Sequence, residues 1–171
     1  RARVEAHARW LTDAVLSPAV FDIESMRARM RAKRILAADM IDFCIPYAAR
    51  RMGDGWVEDR LSFAQVTLGS ARLQALIGEI DIETPVFEDP AAPSVLLIVP
   101  RQENHMIGPL VLAAQLSRAG YSTCLRAPQS PASLVPHVAD RHYDLVMISC
   151  SSLMLLDSVA AIVRTLRTKA C

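Results

Sequence analysis

The chain of 171 residues is poor in the residue types on which several common kinds of site depend. It has six glycines, and none stands in a Walker loop or in a G-x-G-x-x-G pattern, which argues against a cofactor held through its phosphates. Its four histidines and four cysteines form no closely spaced group, which argues against a zinc site. No Ser-His-Asp or Cys-His arrangement can be assembled, so we expect no enzyme.

Long hydrophobic runs and a strong net charge are missing as well. No apolar run approaches the length needed to span a membrane, and no signal peptide is visible. The cysteines have no CxxC spacing and are typical of reduced thiols, which predicts a cytoplasmic protein. They are Cys44, Cys124, Cys150 and Cys171. A formal net charge of +1 argues against general binding to polyanions.

One segment is nevertheless strongly basic. Five of the eight residues from Arg27 to Arg34 are arginine or lysine, and Arg50 and Arg51 add to the local charge. Such a patch could meet DNA or an acidic protein surface. Its positions spread around a helix and no recognition-helix pattern accompanies them. The sequence therefore favours a solvated face or a protein-docking surface, with no direct nucleic-acid contact.

The second half of the chain alternates between strand-like and helix-like segments. This pattern predicts βαβ units with right-handed crossovers, and hence a Rossmann-like (flavodoxin-like) parallel sheet over residues 94–171. Strands are predicted at 94–100, 121–125 and 143–149, and helices at 110–119, 131–140 and 153–169. Gly120 fits the position after the first of these helices. Because no strand follows the last helix, we expect a C-terminally incomplete domain.

The first eighty residues have helical periodicity instead. An apolar stripe near Trp10 predicts a first helix, residues 26–38 a basic helix, 35–47 an apolar continuation, and 59–80 a long amphipathic helix. Short connections between such helices are typical of an antiparallel bundle, here over residues 1–80. Residues 81–93 contain three prolines and four acidic residues, which indicates a linker.

The most informative motif is Glu103-Asn-His-Met-Ile-Gly108, directly after the first strand of the α/β half. Open α/β sheets bind their ligands at the carboxyl ends of their strands. In a loop, Glu103 can fold back to accept the Nδ1 proton of His105, which would turn Nε2 outward as a metal ligand. Gly108 lets a bulky flat ligand approach the backbone. The motif predicts a metal ligand, its orienting carboxylate and clearance for the ligand.

These residues resemble the acid-x-His-x-x-Gly signature of cobalamin-binding domains, as in methionine synthase, methylmalonyl-CoA mutase and the B12-dependent light sensors. The resemblance implies that His105 is the lower axial ligand of a cobalt and that Glu103, in place of the usual Asp, hydrogen-bonds to it. In that family a strand ends in Ser-x-Leu, where the Ser binds the nucleotide tail. Ser149 matches this serine, whereas Ser151 stands where Leu is expected.

A helical bundle before the sheet is also similar to the cap of those domains. The segment 55–67, with Trp56, looks most like the cobalamin-type antirepressors of photosynthetic bacteria and the related heme-sensing (SCHIC) domain. Both act on a transcriptional repressor of photosynthesis genes. The resemblance thus implies cobalamin or heme as cofactor, a repressor protein as partner, and Trp56 as a contact of the macrocycle or, equally, a packing anchor. No upper axial ligand is evident near Val66 and Thr67.

Three functions remain open at this stage. The first is a sensor and antirepressor module that binds cobalamin or heme. The second is a ligand-free domain of the same fold that serves only as a protein-interaction scaffold, and the third is a corrinoid carrier in methyl transfer. The helical half and Ser151 weaken the third, so the sensor is preferred.

Overall fold

The structure, a computed structural model, describes residues 2–82, 91–139 and 141–169. The chain divides into two compact units, Arg1–Pro85 and Val86–Cys171. Most of the predicted linker, residues 83–90, lies outside the described residues, as do Asp140 and Cys171. No helix within the described ranges is both long and apolar enough to cross a bilayer.

In the described part of the first unit, residues 2–82, every regular element is a helix. Its elements are α1 (Ala2–Leu16), α2 (Ile23–Lys33), α3 (Ala37–Asp39), a π-helical segment (Met40–Cys44), α4 (Ile45–Val57) and α5 (Phe63–Ile82). Helices α1, α4 and α5 pack against one another. Leu11 of α1, Met52 of α4 and Leu73 of α5 are fully buried between them.

The basic helix is shorter at its C-terminal end than the sequence predicts. Asp22 caps α2 by accepting a hydrogen bond of 2.8 Å from the backbone N–H of Ser25. At the other end Arg34 has a φ of 53°, and its N–H returns to carbonyls of the last turn. A left-handed residue ends a helix, so the predicted helix 26–38 stops at Lys33.

The π-helical segment has a local cause. Pro46 follows the first residue of α4, inside a continuous helical stretch. Proline has no N–H, and its ring collides with the carbonyl four residues earlier, so the helix widens before it. The N–H of Ile45 accordingly donates a hydrogen bond to the carbonyl of Met40, five residues back.

The long helix α5 begins later than the sequence predicts. It starts at Phe63 and not at Asp59, because Asp59 adopts a positive φ of 54° in the preceding turn.

The second unit contains an open parallel sheet, as predicted for an α/β fold. Its elements are β1 (Ser94–Ile98), α6 (Ile107–Arg118), β2 (Ser122–Arg126), a 3₁₀ turn (Pro131–Leu134) leading into α7 (Val135–Ala139), β3 (Leu145–Ile148), and a 3₁₀ turn (Leu153–Leu155) leading into α8 (Leu156–Lys169). The strand order is β2-β1-β3. Gly120 follows α6 with a φ of 90°, as expected of the residue after a helix end.

The two faces of the sheet are covered by different helices. Leu96 and Ile98 of β1 pack in one cluster with Leu134 and with Ile162 of α8. Side chains alternate along a strand, so the buried Val95 and Leu97 point to the other face. The connection from β1 to β2 runs in one direction across the sheet, and the connection from β2 to β3 runs back in the opposite direction. Because both crossovers are right-handed, their helices lie on opposite faces, and α6 covers this second face.

Candidate functional site

The candidate site lies where the chain leaves β1 and β3. The helices that follow these two neighbouring strands, α6 and α8, cover opposite faces of the sheet. Such a switch point opens a crevice at the carboxyl ends of the strands, and ligands of open α/β sheets bind there. Residues 99–106 and 149–152 form the two loops at this point. They bring together three predicted site residues, Glu103, His105 and Ser151.

Glu103 is at the centre of the site. Among the charged residues in the described ranges, only Glu103 is buried, and its side chain is 2% exposed. One carboxylate oxygen, Oε1, lies 2.6 Å from Nδ1 of His105 and accepts a bond of 2.9 Å from the backbone N–H of the same residue. The other, Oε2, accepts bonds of 2.6 Å and 2.7 Å from the backbone N–H and the hydroxyl of Ser151. Each oxygen therefore takes two donors, which fills the capacity of a carboxylate.

These contacts keep Glu103 ionised. Burial by itself raises the pKa of the carboxyl, but the hydrogen bonds from Ser151 and from His105 lower it by more, and the pKa falls to about 2. A buried carboxylate whose four acceptor positions are taken is a fixed negative charge. It is not a proton acceptor for chemistry at neutral pH.

The proton of the His105 ring is assigned by its neighbours. Nδ1 faces two acceptors, Oε1 of Glu103 at 2.6 Å and the hydroxyl oxygen of Ser151 at 2.8 Å, while the Ser151 proton is donated to Oε2. Nδ1 must therefore carry the proton, and in the neutral ring Nε2 has a free lone pair. The His105 side chain is 78% exposed, so Nε2 is available to a ligand.

Ser151 has a different role from the one that the family pattern suggests. The resemblance gives this position to a Leu beside a nucleotide tail, whereas the structure uses its N–H and hydroxyl to hold Glu103. Ser149 continues the pairing of β3 with β1, since its N–H bonds to Ile98, and it is half-buried. Ser152 caps the following 3₁₀ turn through Met154, as helix N-capping predicts.

Gly108 is at the start of α6 and is exposed. A Cβ built on it would meet no described atom within 4 Å, and its backbone is not in the left-handed region. The packing of the described chain therefore gives no reason for a glycine here. The role of Gly108 as clearance for a ligand stays a prediction.

An exposed apolar surface beside the site could not be recognised from the sequence. Leu153, Met154 and Leu156 follow Ser151 and are 83%, 91% and 53% exposed. A run of exposed apolar side chains next to a crevice indicates a binding surface. Cys150 is exposed too, and its thiol lies 3.2 Å from the carbonyl of Ser152. The sequence predicts the start of a helix at these apolar residues, so only the exposure of their side chains reveals the surface.

A cleft of about 400 Å³ opens beside the site and not at it. It is bordered by the residues after β1 and β2 and by the first turns of α8, at Pro100–Gln102, Pro128–Pro131 and Asp157–Ile162. Neither His105 nor Glu103 lines it. The candidate site is therefore defined by the hydrogen bonds among Glu103, His105 and Ser151.

Trp56 belongs to the first unit. It lies near the C-terminus of α4, and its ring centroid is 6.5 Å from that of Phe63. Trp56 is 51% exposed and Phe63 is 71% exposed. Trp56 thus packs on the first residue of the long helix, as the packing alternative predicts, while both rings keep much of their surface exposed. Contact of Trp56 with a macrocycle stays a prediction.

The donor set tells which metals the site could hold. In the described ranges no group of three or more His, Cys, Asp or Glu residues is arranged to bind a metal ion. A metal at Nε2 of His105 would need most of its ligands from another molecule, and a tetrapyrrole supplies four. One outward imidazole with a fixed carboxylate behind it could hold such a group through Nε2 of His105.

The fold and the site define an α/β protein with a carboxylate-oriented histidine at the switch point of a parallel sheet. No family model matches the chain. The chain is similar to the uncharacterized 20.5 kDa protein in the bchF-crtJ intergenic region of Rhodobacter capsulatus, with 34% identity over 140 residues, 80% of this chain and 72% of that protein. The chain belongs to the same family as that protein. The location of this relative fits a photosynthesis-related context.

Proposed function

We propose that this protein is a non-catalytic sensing domain that binds a cobalamin or a heme through Nε2 of His105. The observation that carries the proposal is the histidine itself: Nδ1 is held by a buried, ionised Glu103, and the ring is 78% exposed. A metal tetrapyrrole would supply ligand exchange or redox chemistry at its metal. The residues of the chain orient the imidazole and fix its tautomer.

The surroundings of His105 support a large flat ligand. A Cβ on Gly108 would meet no described atom within 4 Å, so a ligand could approach the start of α6 there. The exposed Leu153 and Met154 offer an apolar surface at the same end of the sheet. A macrocycle with an apolar face would cover side chains that are otherwise in water.

The proposed role is in transcription. The relative in the bchF-crtJ intergenic region supports a setting in photosynthesis gene regulation. We propose that the pigment-loaded and pigment-free forms differ in affinity for a transcriptional repressor, so that the chain acts as an antirepressor. The exposed Trp56 and Phe63 are our candidates for pigment or partner contacts in the helical unit.

Titration of the purified protein with hydroxocobalamin and, separately, with hemin tests the pigment site. We expect one of the two absorption spectra to shift and the shift to be lost in His105→Ala. His142→Ala is the matched control, because His142 lies in the same unit and its side chain is 88% exposed. Glu103→Gln should weaken binding about 10- to 100-fold, the usual effect of removing the partner of a metal-bound histidine.

The alternative is a ligand-free scaffold, and one observation favours it: the hydrogen bonds of Glu103 are complete without any ligand. Uptake of neither pigment, together with retained repressor binding, would decide for the scaffold. Shifts that survive in His105→Ala would remove the histidine from the site. Transfer of a methyl group from the bound corrinoid would instead indicate the carrier.

A further inference from the structure

The basic helix α2 exposes a face on which the charges are ordered. Met26 and Met30 are buried and define its inner side. Ala28 and Ala32, one turn apart, lie on the opposite side and are exposed. The cations stand in two rows on either side of this alanine strip, with Arg29 and Lys33 in one row and Arg27 and Arg31 in the other. The charges that seem scattered in the sequence thus flank the exposed face of α2 that carries Ala28 and Ala32.

The row of Arg29 and Lys33 packs on the ring of Trp10 in α1. The guanidinium of Arg29 lies 5.1 Å, and the ammonium of Lys33 5.7 Å, from the centre of the Trp10 ring. Such cation–π contacts restrict the two side chains without neutralising them. Arg3 of α1 adds another cation, donating hydrogen bonds to the carbonyls of Lys33 and Arg34.

The acids near this face leave most of its charge free. Glu24 pairs with Arg27 at 2.7 Å, and no acidic residue occurs from Arg27 to Ala38. Four exposed cations remain, Arg29, Arg31, Lys33 and Arg34. The charges near this face also act on His7, whose pKa is lowered first by burial and then by Arg3 and Lys33, while Asp39 raises it in part. The net charge of the whole chain therefore hides a local excess of positive charge.

The centre of the face distinguishes a nucleic acid from a protein partner. Protein interfaces usually have large apolar or aromatic anchors at their centre. Here the central row is Glu24, Ala28 and Ala32; the two alanines are small and exposed, and Glu24 at the N-terminal end is paired with Arg27. A helix face with small residues at its centre and unpaired arginines on both edges suits a groove that is bordered by two phosphate strands.

The geometry points to α2 as a binding surface for double-stranded DNA, with its alanine strip towards a groove and the four exposed cations, Arg29, Arg31, Lys33 and Arg34, on the phosphates. The contacts are to the backbone, so binding does not depend on base sequence. Four phosphate contacts give a slope of log K against log salt of about −4. This surface is independent of the pigment site, and the experiment uses pigment-free protein.

Fluorescence anisotropy with a labelled 20-base-pair duplex between 50 and 200 mM salt tests the surface. We expect the predicted slope and, in Arg29→Glu/Arg31→Glu, a loss of at least tenfold in affinity with a slope smaller by about 2. Ala28→Glu/Ala32→Glu should weaken binding as well. It changes only exposed alanines to another good helix former, so loss of folding is not expected to explain its effect. Arg50→Glu/Arg51→Glu, an equal change in charge on another helix, should bind like the parent chain.

Three results would overturn the inference. The first is no binding to the duplex at 50 mM salt. The second is an equal loss in the control pair, because the binding would then reflect total charge and not α2. The third is tighter binding to poly-glutamate than to the duplex, lost in the same α2 variants, which would assign the face to an acidic protein. None of these results changes the outcome of the pigment titration at His105.

Discussion

Replacing Glu103 by Gln is the sharpest test of the hydrogen-bond arrangement at the crevice. The variant keeps the size of the side chain and removes its charge. The carboxylate accepts four hydrogen bonds, two from Ser151 and two from His105. An amide has one oxygen, which can take two of these donors, while its NH₂ group faces the other two. One backbone N–H, that of His105 or that of Ser151, is then left without an acceptor, whereas the imidazole or the hydroxyl beside it can accept from the amide.

The cost follows from the pKa of Glu103. Its pKa is lowered from 4.5 to about 2 in the folded protein, and each pKa unit corresponds to about 1.4 kcal/mol. The ionised carboxylate therefore contributes about 3 kcal/mol at neutral pH. Because the folded pKa is the lower one, this contribution is complete above pH 4.5 and is lost as the pH falls towards 2. Between pH 6 and pH 3 the loss amounts to about 2 kcal/mol.

Urea unfolding followed by circular dichroism, repeated at several pH values from 6 to 3, measures this difference. We expect Glu103→Gln to be less stable than the parent chain by about 3 kcal/mol at pH 6, with a gap that narrows to about 1 kcal/mol at pH 3. Other carboxyls titrate in both proteins, so the difference isolates Glu103. Glu58→Gln, at an exposed ion pair with Arg60, is the control and should change little at either pH.

A gap of the same size at both pH values would refute the reasoning, because the loss would then come from packing and not from charge. A stability equal to that of the parent chain at pH 6 would show that Glu103 does not hold the two loops together.

Three further predictions concern single contacts. Ser151→Ala should lower the free energy of unfolding by about 1–2 kcal/mol, because a hydroxyl bond to a charged group is lost; an unchanged urea midpoint would contradict it. Gly108→Ala should leave the pigment-free protein as stable as before or up to about 1 kcal/mol more stable, yet reduce pigment uptake, and undiminished uptake would place the ligand elsewhere. Gly69→Ala should cost about 1–3 kcal/mol in thermal unfolding because its Cβ would collide with Met52, whereas Gly78→Ala, with open space around it, should not; equal effects would argue against the close packing of α4 and α5.

The sequence predicted the alternating half of the chain well, because its signals are local. Strand β1 and helix α6 follow from an apolar run and a helical period, and Gly120 marks the helix end with its φ of 90°. The errors are at boundaries where one residue decides. Arg34 and Asp59 adopt positive φ, which is uncommon for residues other than glycine, and so the basic helix ends early and the long helix begins late.

The candidate site was predictable in part for the same reason. Glu103 and His105 are two residues apart, so their contact could be foreseen from the loop that joins them. Ser151 is 48 residues from Glu103, and its role depends on β1 and β3 being neighbours. Arg72 illustrates the same limit in the helical unit. It donates hydrogen bonds to the carbonyls of Val15, Ser17 and Ala19 across more than fifty positions, and no local pattern announces them.

The bridge from Glu103 to Ser151 has a mechanical consequence. It joins the segment that enters α6 to the segment that enters α8, and these helices cover opposite faces of the sheet. Any displacement of the His105 imidazole would therefore act on both segments through the same carboxylate, which accepts hydrogen bonds from His105 and from Ser151.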